Sequence, residues 1–523
     1  MAALEMATFD LAATVQWIAA AAPQGALASD SRRVQPGGVF FAYPGDAGDG
    51  RGFIESAIAA GAAAIVYDPR DFAWNEALSV PHLAVTQLKA RAGAIAHAVH
   101  RMPDAAMFSV GVTGTNGKTS IAVWLGQALA RLGETTAVIG TLGVGLFKGG
   151  AKAEPSFDVT GYTTPDAVLL AEKLQGVRAA GATALAIEVS SIGLVQGRTL
   201  GMHFDVAVFT NLTRDHLDFH GDMASYEAAK VKLFEWPGLK TAVINLDDAA
   251  GLRLLAHLRA RHPQVLVTGY TLQDAAALAD IDGVALLRAS QFRSKNAGTE
   301  FHLETPAGGA TVKTALVGHF NISNALAVLG TLLAKGIALR AAVDALEALT
   351  PAPGRMQQVG EAAGGQDRPM VVVDYAHTPD ALEKTLSALK QVAGERGGQL
   401  WCVFGCGGDR DPGKRPQMGA IAQIAEHVLV TSDNPRSEEP NAIIADIVAG
   451  MDLTRAGTSM QAIEDRAAAI LLAIKQAGKA DVILLAGKGH EPYQEIKGRK
   501  MAFSDLDHAS LALAARVTMM RTT

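Results

Sequence analysis

An apolar stretch that runs into Gly111-Val112-Thr113-Gly114-Thr115-Asn116-Gly117-Lys118-Thr119-Ser120 constrains this chain more than any other feature. The stretch reads as a strand, the glycines as a tight turn and the residues after them as a helix. Strand, turn and helix in that order build open, mostly parallel sheets. Glycine lets backbone wrap a phosphate where a side chain would collide. A helix N-terminus adds unpaired N–H groups and a positive dipole end. Lys118 would balance β/γ-phosphate charge, and Thr119 can hold Mg2+ through its hydroxyl. The spacing departs from the strict G-x-x-x-x-G-K-[ST] pattern. Position 112 is Val, and glycines at 111 and 114 replace the single upstream one.

The same alternation recurs along the chain. Strand candidates are 39–43, 64–67, 136–140, 184–189, 205–210 and 241–245, with helical stretches between the later ones. The run from about 264 to 316 reads as short strands with glycine turns, hence hairpins. A third α/β pattern begins near Pro351, with strands at 370–375, 400–405, 427–431 and 482–486. Met102-Pro103-Asp104 reads as a linker. A length of 523 residues accommodates three domains at roughly 150 residues each. The expected division is 1–105, 106–345 and 346–523. The fold class is α/β: an N-terminal α/β domain, a central phosphate-loop domain with a mostly parallel sheet, and a C-terminal Rossmann-like domain. In such sheets ligands sit beyond the carboxyl ends of strands.

Composition excludes several classes. Hydrophobic residues are 49% and charged residues 19%, with a net charge of −6 and no basic block. A nucleic-acid or anionic-membrane surface is not expected. The two cysteines, Cys402 and Cys406, lie in an apolar, strand-like run. They read as small buried hydrophobes in a reducing compartment. Glu5 and Asp10 interrupt the N-terminus, which has no basic n-region. No apolar run reaches about 18 residues. A cytoplasmic monomer without membrane insertion is expected.

Further blocks, in order, resemble the Mur ligase family. They are Glu188-Val189-Ser190-Ser191, Thr210-Asn211-Leu212-Thr213-Arg214-Asp215-His216-Leu217-Asp218, Tyr226-Glu227-Ala228-Ala229-Lys230, Gly318-His319-Phe320-Asn321, Gly354-Arg355-Met356 and Asp374-Tyr375-Ala376-His377. That family joins a carboxylate to an amine at the expense of ATP. The resemblance implies a UDP-substrate domain, a central ATPase domain and a C-terminal domain binding the amino acid. Asp433-Asn434-Pro435-Arg436 is similar to the signature of members that select meso-diaminopimelate over lysine. Gly405-Cys406-Gly407-Gly408-Asp409-Arg410 and Gly487-Lys488-Gly489-His490-Glu491 are typical of the same branch. The implied reaction adds meso-diaminopimelate to UDP-N-acetylmuramoyl-L-alanyl-D-glutamate in peptidoglycan precursor synthesis.

The resemblance also implies site residues. For ATP these are Gly114, Thr115, Asn116, Gly117, Lys118, Thr119, Ser120, Asn321, Arg355, Asp374 and His377. Lys118, Glu188, His216 and Lys230 form the catalytic set. Thr119, Glu188, His216 and Lys230, the last as a carbamate, are the implied Mg2+ ligands. By itself Lys230 would read as a solvated helix lysine, and His216 as a capping or hydrogen-bonded histidine. The UDP-substrate set is Ser29, Ser31, Asp46, Ala47, Gly48, Thr163, Thr164, Ser190, Gln196 and Arg198. The diaminopimelate set is Arg410, Asp433, Asn434, Pro435, Arg436, Gly487 and Glu491. Meso-diaminopimelate carries one carboxylate more than lysine, and the planar arginine fork suits it. Two positions depart from the family pattern: Ile192 where histidine is frequent, and Tyr162 where asparagine often precedes the paired threonines. Two alternatives stay open at this stage. One is a related ligase using lysine or a folylpolyglutamate-type substrate; the other is a non-catalytic nucleotide-binding module.

Overall fold

In the computed structural model, which describes residues 9–23, 25–45, 48–150, 155–274, 281–295, 298–360 and 368–521, the apolar runs become strands of three separate α/β sheets. The first sheet holds β1 (Leu27–Ala28), β2 (Val39–Ala42), β3 (Ala64–Tyr67) and β4 (His82–Ala84), side by side and parallel. Among the described residues no helix is long and apolar enough to cross a membrane.

The central sheet has ten strands. They are β5 (Phe108–Thr113), β6 (Thr136–Gly140), β7 (Gly143–Phe147), β8 (Ala184–Glu188), β9 (Val206–Phe209), β10 (Thr241–Asn245), β11 (Leu266–Thr271), β12 (Ala285–Lys295), β13 (Gly298–Thr305) and β14 (Gly308–Thr314). Their order is β14-β13-β12-β11-β10-β9-β5-β8-β6-β7. The stretch from β12 through to β6 is parallel, and antiparallel strands close both edges. Alternate side chains point to opposite faces. Ala184, Ala186, Val206 and Val208 enter one core with Trp124, Leu125 and Leu326. Leu185, Ile187, Ala207 and Phe209 enter the other with Leu170, Leu174 and Phe234. A sheet buried on both faces needs such continuously apolar strands.

The 264–316 segment forms the expected hairpins, β12 with β13 and β13 with β14, but its strands are longer than expected and β11 joins no hairpin. β11 runs parallel to β10, while β12, β13 and β14 are 11, 8 and 7 residues long and extend the central sheet. Phe301, Leu303 and Val312 supply the reason, because they pack into the central core with the helix His319–Ala334. The Met102-Pro103-Asp104 junction is also more than a linker. Asp104 is fully buried. It sits 3.2 Å from His97 Nδ1 and accepts the His203 N–H at 2.6 Å, pinning the first unit to the second.

The third sheet has the order β15-β16-β20-β17-β18-β19. Its strands are β15 (Gln357–Gln358), β16 (Met370–Asp374), β17 (Leu400–Phe404), β18 (His427–Val430), β19 (Ser459–Ala462) and β20 (Val482–Ala486). All neighbours are parallel except β15 with β16. Separate cores lie on its two faces. Cys402 and Cys406 are buried and free, and burial pushes the Cys406 thiol up to about 12. A final hairpin pairs β21 (Tyr493–Ile496) with β22 (Arg499–Ala502). The predicted motifs fall at carboxyl ends of strands. The phosphate loop follows β5, Glu188 ends β8, Asp374 ends β16, Asp433 lies just past β18 and Gly487 follows β20.

Candidate functional site

The loop after β5 holds its shape through close packing. Gly114 has φ +142°, and a Cβ there would lie 1.8 Å from Thr210 Oγ1. Gly117 has φ +92°, with Asn324 Oδ1 at 2.5 Å from the same imagined atom. Only glycine fits both the conformation and the space. The loop is clamped from β9's end, where Thr210 Oγ1 donates to the Asn116 carbonyl at 2.6 Å and Asn211 Oδ1 accepts the Asn116 N–H at 2.9 Å. Gly117 caps the helix Lys118–Arg131 without a side-chain bond. The first N–H groups of that helix therefore face the cavity and suit an anion.

Two lysines converge on this loop. Lys118 Nζ donates to the Gly114 and Thr115 carbonyls at 2.9 Å each, and Lys230 Nζ donates to the same Gly114 carbonyl at 2.9 Å. Burial pushes the Lys118 ammonium below its usual range; Glu188 and Asp215 oppose this. Lys230 is 2% exposed. Burial, and then the neighbouring Lys118 charge, hold its amine well below the ordinary lysine value. Its helix, Met223–Val231, also places Tyr226 so that its hydroxyl meets Thr115 Oγ1 at 3.2 Å.

Glu188 closes a chain of contacts across two units. Its Oε2 accepts from Thr119 Oγ1 at 3.0 Å and its Oε1 from the Thr141 N–H at 2.8 Å. Arg355, from the third unit, donates to Thr119 Oγ1 at 3.2 Å. Thr119 and Glu188 offer hard oxygen donors side by side, the set that Mg2+ prefers. His216 occupies the N-cap position of Leu217–His220 with φ +53°. Burial lowers its imidazole while Asp215 raises it, with Lys118 and Lys230 lowering it further. It offers nitrogen, a less favoured donor for Mg2+.

A cavity of about 830 Å3 lies between the central and third units. Thr115, Asn116, Gly117, Lys118, Thr119, Ser120, Glu188 and His216 line it from the central unit, with Asn321 at the start of the helix His319–Ala334. Arg355, Asp374 and His377 line it from the third. Asp374 is buried, and its carboxylate accepts the N–H groups of Met356 at 2.7 Å and Ala376 at 2.9 Å. It thus shapes the wall that carries Arg355. His377 is pushed down to about 4 by burial and by Lys414. Asn116 Nδ2 bonds Asp380 Oδ2 at 3.0 Å, a further link across the cleft.

Of the residues expected at the UDP-substrate site, Thr163, Ser190 and neighbouring Thr141 line this same cavity. Thr164 Oγ1 donates to the Glu188 carbonyl at 2.9 Å, and Arg198 Nη1 donates to the Thr164 carbonyl at 2.8 Å. The Arg198 guanidinium also stands 4.9 Å over the Tyr162 ring. Gln196 caps the helix Ser191–Val195. Ser29 and Ser31 are in the first unit, and Ser29 Oγ bonds Asp166 Oδ1 of the central unit at 2.7 Å. Gly48 accepts the Gly45 N–H at 2.8 Å. Asp46 and Ala47 lie outside the described residues.

The expected amine-site residues gather on the loops after β17, β18 and β20, at the same carboxyl edge of the third sheet, but do not line that cavity. Arg436 has φ +52°. Its N–H bonds the Glu495 carbonyl at 3.0 Å, and its carbonyl accepts the Lys497 N–H at 2.7 Å. The β21–β22 hairpin thereby holds the arginine in a left-handed conformation. Its Nη1 donates to the Gly408 carbonyl at 2.7 Å, beside exposed Arg410. Beneath sits Lys488, fully buried, 3.1 Å from both Asn434 Oδ1 and Glu491 Oε2 and 3.7 Å from Asp433 Oδ1. Burial raises the Asp433 carboxyl and Lys488 opposes it. Pro435 links Asn434 to Arg436, and Gly487 abuts Asp433.

Sequence reasoning assigned no role to Lys488, Thr141, Asn324 or Asp215. Burial pushes the Asp215 carboxyl up, but His216, His377 and Lys414 outweigh it and leave it below its usual range. Lys488 and Asp215 stood inside quoted motifs; nothing local marked Thr141 or Asn324.

Family models match three stretches: "Mur ligase family, catalytic domain" over 26–100, "Mur ligase middle domain" over 112–332 and "Mur ligase, glutamate ligase domain" over 354–489. The chain is 61% identical to the UDP-N-acetylmuramoyl-L-alanyl-D-glutamate--2,6-diaminopimelate ligase of Janthinobacterium sp. (strain Marseille), over 98% of each chain. It is 51% identical to the ligase of the same name from Ralstonia nicotianae, over 97% of this chain and 96% of that one. A solved structure of such a ligase superposes with TM-score 0.63 at 37% identity, covering 94% and 95% of the two chains. The MurF ligase of Thermotoga maritima in complex with ADP has TM-score 0.62 at 17% identity, covering 95% and 98%. At that identity it shares the fold alone. With three matched domains in order and relatives aligned along nearly its whole length, the chain belongs to the Mur ligase family.

Proposed function

We propose that this chain is an ATP-dependent ligase that joins UDP-N-acetylmuramoyl-L-alanyl-D-glutamate to meso-diaminopimelate. The products are the UDP-muramoyl tripeptide, ADP and phosphate. The observation that carries the reading is the Arg355–Thr119–Glu188 chain, which spans two units at the floor of one cavity beside the phosphate loop. The names of the relatives at 61% and 51% identity support the choice of substrates. The chain would act in the cytoplasm as a monomer, with its units divided near 105 and 346.

The substrate carboxylate attacks the γ-phosphate, an acyl phosphate forms, and the amine then displaces phosphate. Two anions must meet in the first step, so the site must supply positive charge and position. The N-terminal N–H groups of the helix Lys118–Arg131 bind phosphate oxygens, Lys118 adds its charge and Arg355 approaches from the opposite wall. Thr119 and Glu188 would hold one Mg2+; His216 and a carbamylated Lys230 would hold a second. Bound there, Mg2+ supplies charge against the phosphate oxygens.

Lys230 suits carbamylation for a physical reason. Its amine is held toward the neutral form, which is the nucleophile toward CO2. A bond forms from Nζ to carbon, one amine proton leaves, and a carbamate anion results. The anion faces the Lys118 ammonium and attracts it, where an ammonium would repel. Thr163, Thr164, Ser190, Gln196 and Arg198 would hold the muramoyl peptide, and Ser29, Ser31 and Gly48 the uridine end. Arg436 and Arg410 would meet the distal carboxylate of the amine, and Glu491 its ammonium. ADP release that requires both organic substrates tests the reading; ATP binding without turnover in their presence refutes it.

A further inference from the structure

We propose that Glu235, His257 and His262 form a binding site for one zinc ion on the central unit. Their donor atoms all lie within 4.8 Å of one another. None of the three lines the nucleotide cavity. Two imidazoles and one carboxylate are a donor set that zinc accepts, with water completing a tetrahedron. Magnesium, which prefers oxygen, would not favour it.

The backbone delivers all three groups from anchored positions. His257 lies on the helix Ala249–Arg261, whose Leu254, Leu255 and Leu258 are buried. Residues five apart on a continuous helix point about 140° away from each other. Here the helix stops at Arg261, and His262 leaves it with φ −135° and ψ 54°. That turn brings the two imidazoles to one side, with ring centroids 6.0 Å apart. Glu235 sits between Phe234, which is buried, and Trp236, which is half-buried. The Trp236 indole donates to the Met202 carbonyl at 3.0 Å and packs edge-on against Phe204 at 5.3 Å. Glu235 Oε1 lies 2.9 Å from His257 Nε2. A histidine–carboxylate pair would account for that contact alone. It does not account for His262, whose ring bonds no other described residue. Zinc–donor distances near 2.0–2.2 Å require the three side chains to close in slightly; Glu235 is exposed and both histidines are half-buried, so each can move. Occupied, the site would tie the helix C-terminus to the turn that follows the helix Met223–Val231.

The test is zinc binding to the full chain by calorimetry, with zinc as the only added transition metal and Mg2+ and ADP in excess to fill the nucleotide site. The expected result is one zinc per chain that His262→Ala weakens at least 10-fold, although that variant keeps the Glu235–His257 pair. His257→Ala should weaken it at least as much. Cobalt in place of zinc should show the intense visible absorption of a tetrahedral site, a readout that needs no variant. Unchanged zinc stoichiometry and affinity in both variants, or weak octahedral cobalt absorption in the unaltered chain, would overturn the proposal.

Discussion

Lys488→Met is the substitution whose consequences follow most directly from the geometry. Methionine has about the volume of lysine, so the slot stays filled and the change is one of charge. The lost ammonium stands 3.1 Å from Asn434 Oδ1 and Glu491 Oε2 and 3.7 Å from Asp433 Oδ1. Removing one partner of a buried ion pair costs about 3–5 kcal/mol, because the other is left uncompensated. The Asp433 and Glu491 side chains keep 9% and 17% exposure, so the lower end, about 3 kcal/mol, is the appropriate figure. For a unit of this size, each kcal/mol shifts the melting midpoint by about 2–4 °C. A fall of roughly 6–12 °C is expected for the transition of the C-terminal unit by differential scanning calorimetry. The gap between variant and parent should narrow in acid, since protonating Asp433 removes the charge that Lys488 offsets. Assayed below the transition, KM for meso-diaminopimelate should rise about 10-fold or more while KM for ATP changes less than about 2-fold, 10-fold being 1.4 kcal/mol. A midpoint within about 2 °C of the parent, less than 1 kcal/mol, together with an unchanged amine KM, would refute the assignment of Lys488 as the post behind Asn434 and Glu491.

Three other outcomes are expected. Lys230→Ala should lose about 100-fold or more in kcat, a loss of about 2.7 kcal/mol in transition-state stabilisation, and recover part of it with a short carboxylic acid in solution; full activity without rescue would remove the role. Arg436→Lys should raise KM for meso-diaminopimelate by about 10-fold or more, since an ammonium cannot bind a carboxylate in the bidentate way. KM for ATP should stay near the parent value, and equal losses in both would show another job for the residue. His377 is held near 4 in the folded chain against about 6.5 unfolded. The unfolded state therefore takes up the proton first, and stability present above pH 6.5 declines as pH falls toward 4. In His377→Gln that part of the acid slope should vanish in urea titrations across this range.

Much of the fold was legible because the strands are short, apolar and separated by glycine or proline. β8, β10, β16, β17 and β20 lie where the pattern placed them, since each is a short apolar run buried along its whole length. The hairpins of 264–316 were legible from their glycine turns, but the length of the strands was not. Which sheet those strands join depends on Phe301, Leu303 and Val312 meeting a helix that follows them in the chain. Lys488 illustrates a different limit. A lysine between two glycines reads as exposed, and its burial emerges only when loops after β18 and β20 close around it. The Arg355–Thr119 contact joins residues 236 apart in sequence. No local pattern could place those two atoms together.

The central claim is tested most directly by the mass of the coupled product when meso-diaminopimelate and lysine compete for UDP-N-acetylmuramoyl-L-alanyl-D-glutamate in one tube with ATP. The diaminopimelate tripeptide should dominate by at least about 100-fold, as a site built to pair an extra carboxylate discriminates strongly against an analogue without it. Equal amounts of the two tripeptides, or ATP consumption that yields neither, would contradict the account.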